Sequence, residues 1–178
     1  DNTIKWFVEE FFDEEVGLIV KTCTTKGSIR DRIQTEKKLS SLLEDYKGRK
    51  CQVYLLHGDM SESEITSLYQ HPKVKAFVSL THGEGFGLPL YEAAYNGLPI
   101  LAPDWGGHID FLYMKTKDKK GKIKNKPMFS TVSYDIKPVQ EEAVWDGIIQ
   151  KDSMWCFPKE WHYKKTLKTV IKNYNTLK

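Results

Sequence analysis

Short apolar runs alternate with amphipathic stretches along most of this chain. Val16 to Thr22 (VGLIVKT), Cys51 to Leu56, Ala76 to Leu80 and Leu98 to Ala102 have the length of strands. They show little polar alternation, which predicts parallel strands buried on both faces. Helical spacings separate them. Thr3 to Phe12 places Ile4, Phe7, Val8, Phe11 and Phe12 on one face. Ser28 to Tyr46 carries Ile33, Leu39, Leu42, Leu43 and Tyr46, and Lys47-Gly48 ends it. Ser61 with Glu64 three residues on is a capping box. The helix it opens runs to about Tyr69, where His71-Pro72 breaks it. Pro89 suits the first turn of a helix continuing through Tyr91 to Tyr95, stopped by Asn96-Gly97. Another helix is expected to start over Ile109 to Met114. Strands and helices in this order predict an α/β fold with a parallel sheet.

Beyond Met114 the pattern weakens. Met128 to Tyr134 reads as a strand and Met154 to Pro158 as a buried segment. A last helix is expected over about 159–174. Residues 136–149 receive no assignment. Trp161, Leu167, Val170, Ile171 and Tyr174 of the last helix are expected to face a surface outside this chain.

Chemistry concentrates in residues 76–110. In a parallel sheet the strand C-termini form the ligand edge. After the strand at Ala76 to Leu80 come Thr81, His82 and a turn containing Gly83, Gly85 and Gly87. A glycine turn emptying into a helix leaves free N–H groups and a positive dipole end, a seat for phosphate. Glu84 sits inside that turn and Glu92 lies in the helix. A carboxylate beside a phosphate seat is repulsive unless it accepts hydrogen bonds from neutral hydroxyls. Phosphate and polyol together describe a nucleotide-sugar. Pro103 to Gly107 forms a second turn, in which Gly106 and Gly107 could add backbone donors and Asp104 and Trp105 could cap. Lys21, at a strand end, and the following Lys26 and Arg30 are candidate phosphate contacts. His57 reads as a satisfied loop histidine.

The run HGEGFGLPLYEAAYNGLPILAPDWGG resembles the donor-site signature of retaining GT-B glycosyltransferases, particularly family 4. The close resemblance covers about a third of the chain, with the flanking elements agreeing loosely in order. It implies a Rossmann-like parallel sheet flanked by helices, the C-terminal half of a GT-B fold. Glu84 would be catalytic, with Gly85, Phe86, Gly87, Leu88 and Pro89 at the sugar and diphosphate and Glu92 at the ribose. Lys21, Lys26, Thr81, His82, Gly106 and Gly107 complete the expected donor site. The implied reaction is retaining transfer of a hexosyl group from a nucleotide-diphosphate sugar, with no cofactor and no metal. The acceptor, a glycan, lipid or protein, would be held by an N-terminal domain. A parallel α/β domain opens with a strand, and this chain opens with a helical pattern. We therefore expect residues 1–178 to be a single donor-binding domain, a fragment lacking its first strand and the acceptor domain. Alone it should be inactive or weakly active.

Two other readings compete. One is a scaffolding relative that binds nucleotide without catalysis. The other is an NAD-type Rossmann unit, since Gly83-x-Gly85 is followed about twenty residues on by Asp104. The third glycine, Gly87, arrives one residue too early for that fingerprint.

Composition narrows the setting. An apolar share of 40% over 178 residues supports a globular core. Three cysteines without a close pair suggest a reducing, cytoplasmic compartment, neither a disulfide scaffold nor a zinc site. The net charge of +3 hides an uneven distribution. Lys115, Lys117, Lys119, Lys120, Lys122, Lys124 and Lys126 face only Asp118, a local charge of +6. The plain reading of 115–127 is a solvated hairpin or loop. The sharper one is contact with an acidic acceptor or an anionic membrane, at the inner membrane face. No aromatic-interleaved basic surface accompanies it, which argues against a nucleic-acid partner.

Overall fold

Gly17–Thr22 (β1) and Gln52–His57 (β2) pair in parallel, in register from Gly17↔Gln52 to Thr22↔His57. The computed structural model to which they belong describes residues 2–23 and 27–177. It divides into two units, one up to residue 65 and one from residue 66.

In the first unit, Asn2–Glu10 (α1) buries Phe7 and Val8, and Phe11 and Cys51 are buried as well. The expected double burial of β1 is not seen. Its residues alternate between exposed and half-buried, with Ile19 42% exposed. An apolar run reports a preference for strand; it does not reveal how many faces are covered. Ile29–Leu42 (α2) opens at Ser28, whose Oγ accepts the Asp31 N–H at 3.2 Å. A 3-10 turn over Glu44–Tyr46 follows. Glu62–Gln70 (α3) starts at the expected capping box, with Ser61 N–H donating to Glu64 Oε2 at 2.8 Å and Glu64 N–H to Ser61 Oγ at 3.4 Å. The Ser61 N–H, together with the Ser61 hydroxyl donating to the same oxygen at 2.8 Å, holds the Glu64 carboxyl below its usual value.

The second unit is built on three parallel strands, Phe77–Val78 (β3), Ile100–Pro103 (β4) and Ser130–Val132 (β7), in the order β3-β4-β7. Every residue of the central β4 is buried. Leu88–Tyr95 (α4) lays Leu90 and Ala93 into a core with Leu98, Ile100, Ala102, Leu112 and Phe129. Asn96 and Gly97, at φ 74°, end that helix as expected.

Four expectations are corrected here. The helix at Ile109 is a single turn, Ile109–Leu112 (α5), because Tyr113 already begins a strand. Tyr113–Lys117 (β5) pairs with Ile123–Pro127 (β6) as an antiparallel hairpin, and Tyr113 packs against the core. The strand expected over Met128 to Tyr134 is two strands. After β7 the chain turns into Tyr134–Pro138 (β8), which pairs antiparallel with Met154–Pro158 (β9). Within β9 only Cys156 is buried, and Met154 is 49% exposed. Finally, Glu160–Lys172 (α6), followed by Tyr174–Leu177 (α7), buries Tyr163, Leu167 and Val170 in its own unit. Leu167 and Val170 therefore do not await another surface, whereas Trp161 is 61% exposed. Among the described residues no helix is long and apolar enough to cross a membrane.

Candidate functional site

Because β3 and β4 run parallel, the turns that follow them leave the same edge of the sheet. The two turns are locked together. Gly107 N–H donates to the Glu84 carbonyl at 2.8 Å. A Cβ on Gly107 would lie 1.9 Å from Gly85 O, and one on Gly106 would lie 3.0 Å from Glu84 N. Gly106 also takes φ 115°, which L side chains rarely adopt. Gly106 and Gly107 are thus required by close backbone approach, and the N–H of Gly107 is occupied within the protein.

Gly87 is the N-cap of α4, at φ 84° and ψ 52°, and brings no side-chain cap. Pro89 in the first turn has no N–H to offer, and the helical ladder starts with Tyr91 N–H to Gly87 O at 3.0 Å. The dipole end of α4 thus opens onto the glycine turn without a side-chain acceptor on it. Around it Gly85, Phe86, Leu88 and Pro89 are exposed, while Glu84 and Glu92 are half-buried. Thr81 is exposed at the start of the turn. Glu92 stands near enough to Tyr69 for its charge to help raise that phenol's pKa, burial being the larger cause. Phe86 packs on Phe111 and Tyr91, with ring centroids 5.1 and 5.7 Å away.

The model of one family, Glycosyl transferases group 1, matches residues 13–118, more than half of the chain and both glycine turns. The chain belongs to that family. It is a transferase of glycosyl groups, and its parallel strands with flanking helices are the Rossmann-like arrangement expected of it. Among curated proteins and among solved structures, none matches the chain at a significant level.

Several side chains that hold the transferase's turns in place have no local signature. His82 lies against β9: its Nδ1–H donates to Cys156 O at 2.6 Å, and Cys156 N–H donates back to His82 O at 3.2 Å. The imidazole stacks on Trp155 (centroids 5.2 Å, interplanar 16°) and meets Phe157 at 4.6 Å. Asp104 is tied down as well. Its carboxylate accepts from Tyr113 Oη at 2.7 Å, and its carbonyl from Tyr134 Oη at 3.0 Å. The first bond, with burial, raises the Tyr113 pKa. A dinucleotide site would need that carboxylate for a ribose, but it is engaged inside the protein. His108 is fully buried between the turns, donating Nε2–H to Pro103 O at 2.8 Å. Its Nδ1 has no partner among the described residues.

The candidates of the first unit stand apart in role. Lys21 Nζ donates to the carbonyl of Gly58, so this strand-end cation anchors the loop after β2. His57 is satisfied, with Nε2 3.1 Å from Asp31 Oδ2. Arg30 lies in the first turn of α2 and is exposed. Lys26 lies outside the described residues.

Proposed function

We propose that this transferase domain binds a nucleotide-diphosphate sugar at the glycine turn after β3 and passes the sugar on with retention, in the manner of family 4 GT-B enzymes. The observation that carries this is the start of α4. A helix N-terminus opened by a left-handed glycine, with no side-chain cap and Pro89 in its first turn, leaves its dipole end to an anionic group. The leaving diphosphate fits that seat. Glu84, in the same turn, would accept from hydroxyls of the transferred sugar, and Glu92 from the ribose. Thr81 and His82 border the sugar, and Phe86, Leu88 and Pro89 flank the diphosphate. The backbone clasp of Gly106 and Gly107 fixes the shape of the turn.

Rate enhancement would come from positioning and from stabilising the charge that develops on the diphosphate as the glycosidic bond breaks. No metal or cofactor takes part in this scheme. A glycan, lipid or protein acceptor would approach from the other half of a GT-B cleft.

Calorimetric titration of the chain with UDP, GDP and ADP and their sugars tests the proposal, with Glu92→Ala as the comparison. We expect one nucleotide series to bind, and Glu92→Ala to weaken it about ten- to a hundredfold, the worth of a hydrogen bond to a charged group. Binding of NAD with no response to any nucleoside diphosphate would overturn it. Nucleotide binding without sugar transfer, by this domain joined to an acceptor domain, would favour a scaffold instead.

A further inference from the structure

The hairpin of β5 and β6 carries chemistry that glycosyl transfer at the glycine turn does not use. Its strands pair from Tyr113↔Pro127 to Lys117↔Ile123, and all seven of its lysines are exposed. The one acid, Asp118, is turned into the hairpin's own loop. Its Oδ1 accepts the N–H groups of Lys120 and Lys122 at 2.9 and 3.0 Å, and its Oδ2 stands 3.5 Å from Lys124 Nζ. Among the described residues the other six lysines have no carboxylate partner. The result is a well-formed strand pair ending in a crowded cationic tip. Seven lysines against one acid leave this stretch strongly cationic, and an external anion would offset that charge.

Apolar side chains stand among the lysines. Met114 pairs with Lys126 and so shares one hairpin face with Lys124 and Lys126. It is 55% exposed, and Met128 just past β6 is 54% exposed. Ile123, 59% exposed, pairs with Lys117 and lies on the opposite face. At the hairpin's root, Phe111 meets Tyr91 edge-on at 5.4 Å, and Tyr91 stacks towards Tyr95, which is 81% exposed. A soluble polyanion would satisfy the lysines and leave Met114 and Met128 in water. A bilayer with anionic headgroups takes both, with cations at the phosphates and apolar groups at the acyl boundary.

We propose that the 113–127 hairpin docks the transferase on an anionic phospholipid surface. This brings the enzyme to a membrane through the hairpin, and it holds whichever sugar the donor turn accepts.

Co-sedimentation of the chain with phosphatidylcholine vesicles, with and without phosphatidylserine, tests this. Three variants are compared with the parent: the triple change Lys119→Gln, Lys120→Gln, Lys122→Gln, the single change Ile123→Ser, and Met114→Ser. Each headgroup-level lysine contributes roughly a fivefold factor in partitioning, so the triple variant should lose about a hundredfold. Parent binding should require phosphatidylserine. It should also fall as salt shortens the screening length from about 10 Å near 0.1 M to about 3 Å near 1 M. Met114→Ser should weaken vesicle binding severalfold while leaving retention on heparin unchanged, and Ile123→Ser, on the opposite face, should weaken it less. Equal sedimentation with pure phosphatidylcholine would overturn the proposal, as would a triple variant that binds like the parent. Vesicle binding untouched by Met114→Ser, with tight heparin retention, would assign the hairpin to a soluble polyanion instead. Should a variant lose its far-UV dichroism, the lipid and salt dependence of the parent chain decides alone.

Discussion

Gly107 approaches Gly85 so closely that a Cβ on Gly107 would stand 1.9 Å from the Gly85 carbonyl oxygen, while its N–H holds the neighbouring Glu84 carbonyl at 2.8 Å. Backbone meets backbone here, so no side-chain rotamer can relieve an added methyl. We expect Gly107→Ala to push the two turns apart and lower stability by about 2 kcal/mol, the range of overpacked interiors. The melting temperature should fall by roughly 4–8 °C for a chain of this size. Gly83, whose added Cβ would meet nothing within 4 Å, is the matched control. Gly83→Ala should melt close to the parent chain. If both variants melt alike, the clasp does not hold the turns.

His82 offers a sharper probe of the same turn. Since Cys156 O can only accept, the 2.6 Å contact fixes the proton on Nδ1 and leaves Nε2 as an acceptor in the neutral ring. Long-range nitrogen–proton correlation spectra should show His82 as the Nδ1–H tautomer. Trp155→Leu removes one stacking face and keeps the Cys156 bond, so donor affinity should drop only about threefold, against roughly tenfold for His82→Ala. An Nε2–H tautomer in the spectra would contradict the arrangement.

What could be read in the sequence was local. The Ser61–Glu64 capping box and the Asn96-Gly97 stop of α4 each depend on residues within one helical turn, and each forms as expected. The glycine turn after β3 was legible for the same reason. Long-range contacts were not. The exposure of Ile19 depends on what covers β1, and the shortness of α5 on Tyr113 being drawn to Asp104. The pairing of β8 with β9 joins segments separated by a stretch with no periodicity, and it alone explains why Trp155 and Phe157 bracket His82. His108 sits one residue past the glycine pair, where nothing in the local pattern marks it as buried. Lys21 was singled out for its place at a strand end, and the structure adds that its ammonium holds the Gly58 carbonyl.

Asp31 and His57 form a buried pair within the first unit, 3.1 Å apart with each side chain 4% exposed. Asp31→Ala would strand Nε2 of His57 away from water. The loss should be about 1–3 kcal/mol, read as a lower urea midpoint at unchanged slope. Asp31→Asn keeps an acceptor oxygen facing the ring and should lose less. In a double-mutant cycle with His57→Ala, coupling near zero would show that the two side chains are neighbours without being partners.

The three cysteines should separate cleanly by reactivity. Cys23 is exposed, whereas Cys51 and Cys156 are fully buried. Burial raises the pKa of the Cys51 thiol, with nearby Arg49 opposing, and pushes that of Cys156 up to about 11. The thiolate is the reacting species. At neutral pH a chromogenic disulfide reagent should therefore modify Cys23 quickly and the other two only after denaturation. The same shift has a consequence for stability. In the unfolded chain Cys156 loses its proton near its ordinary value of 9.0, while the folded chain retains it to about 11. The folded state therefore binds more protons across that window, and stability falls as pH rises through it. Tyr163, whose phenol burial also raises, acts in the same direction. Urea midpoints measured from pH 8 to 11 should decline, and Cys156→Ala should flatten that decline even if it lowers the midpoint at pH 8. A decline of unchanged steepness in Cys156→Ala would remove the buried thiol from the account of alkaline unfolding.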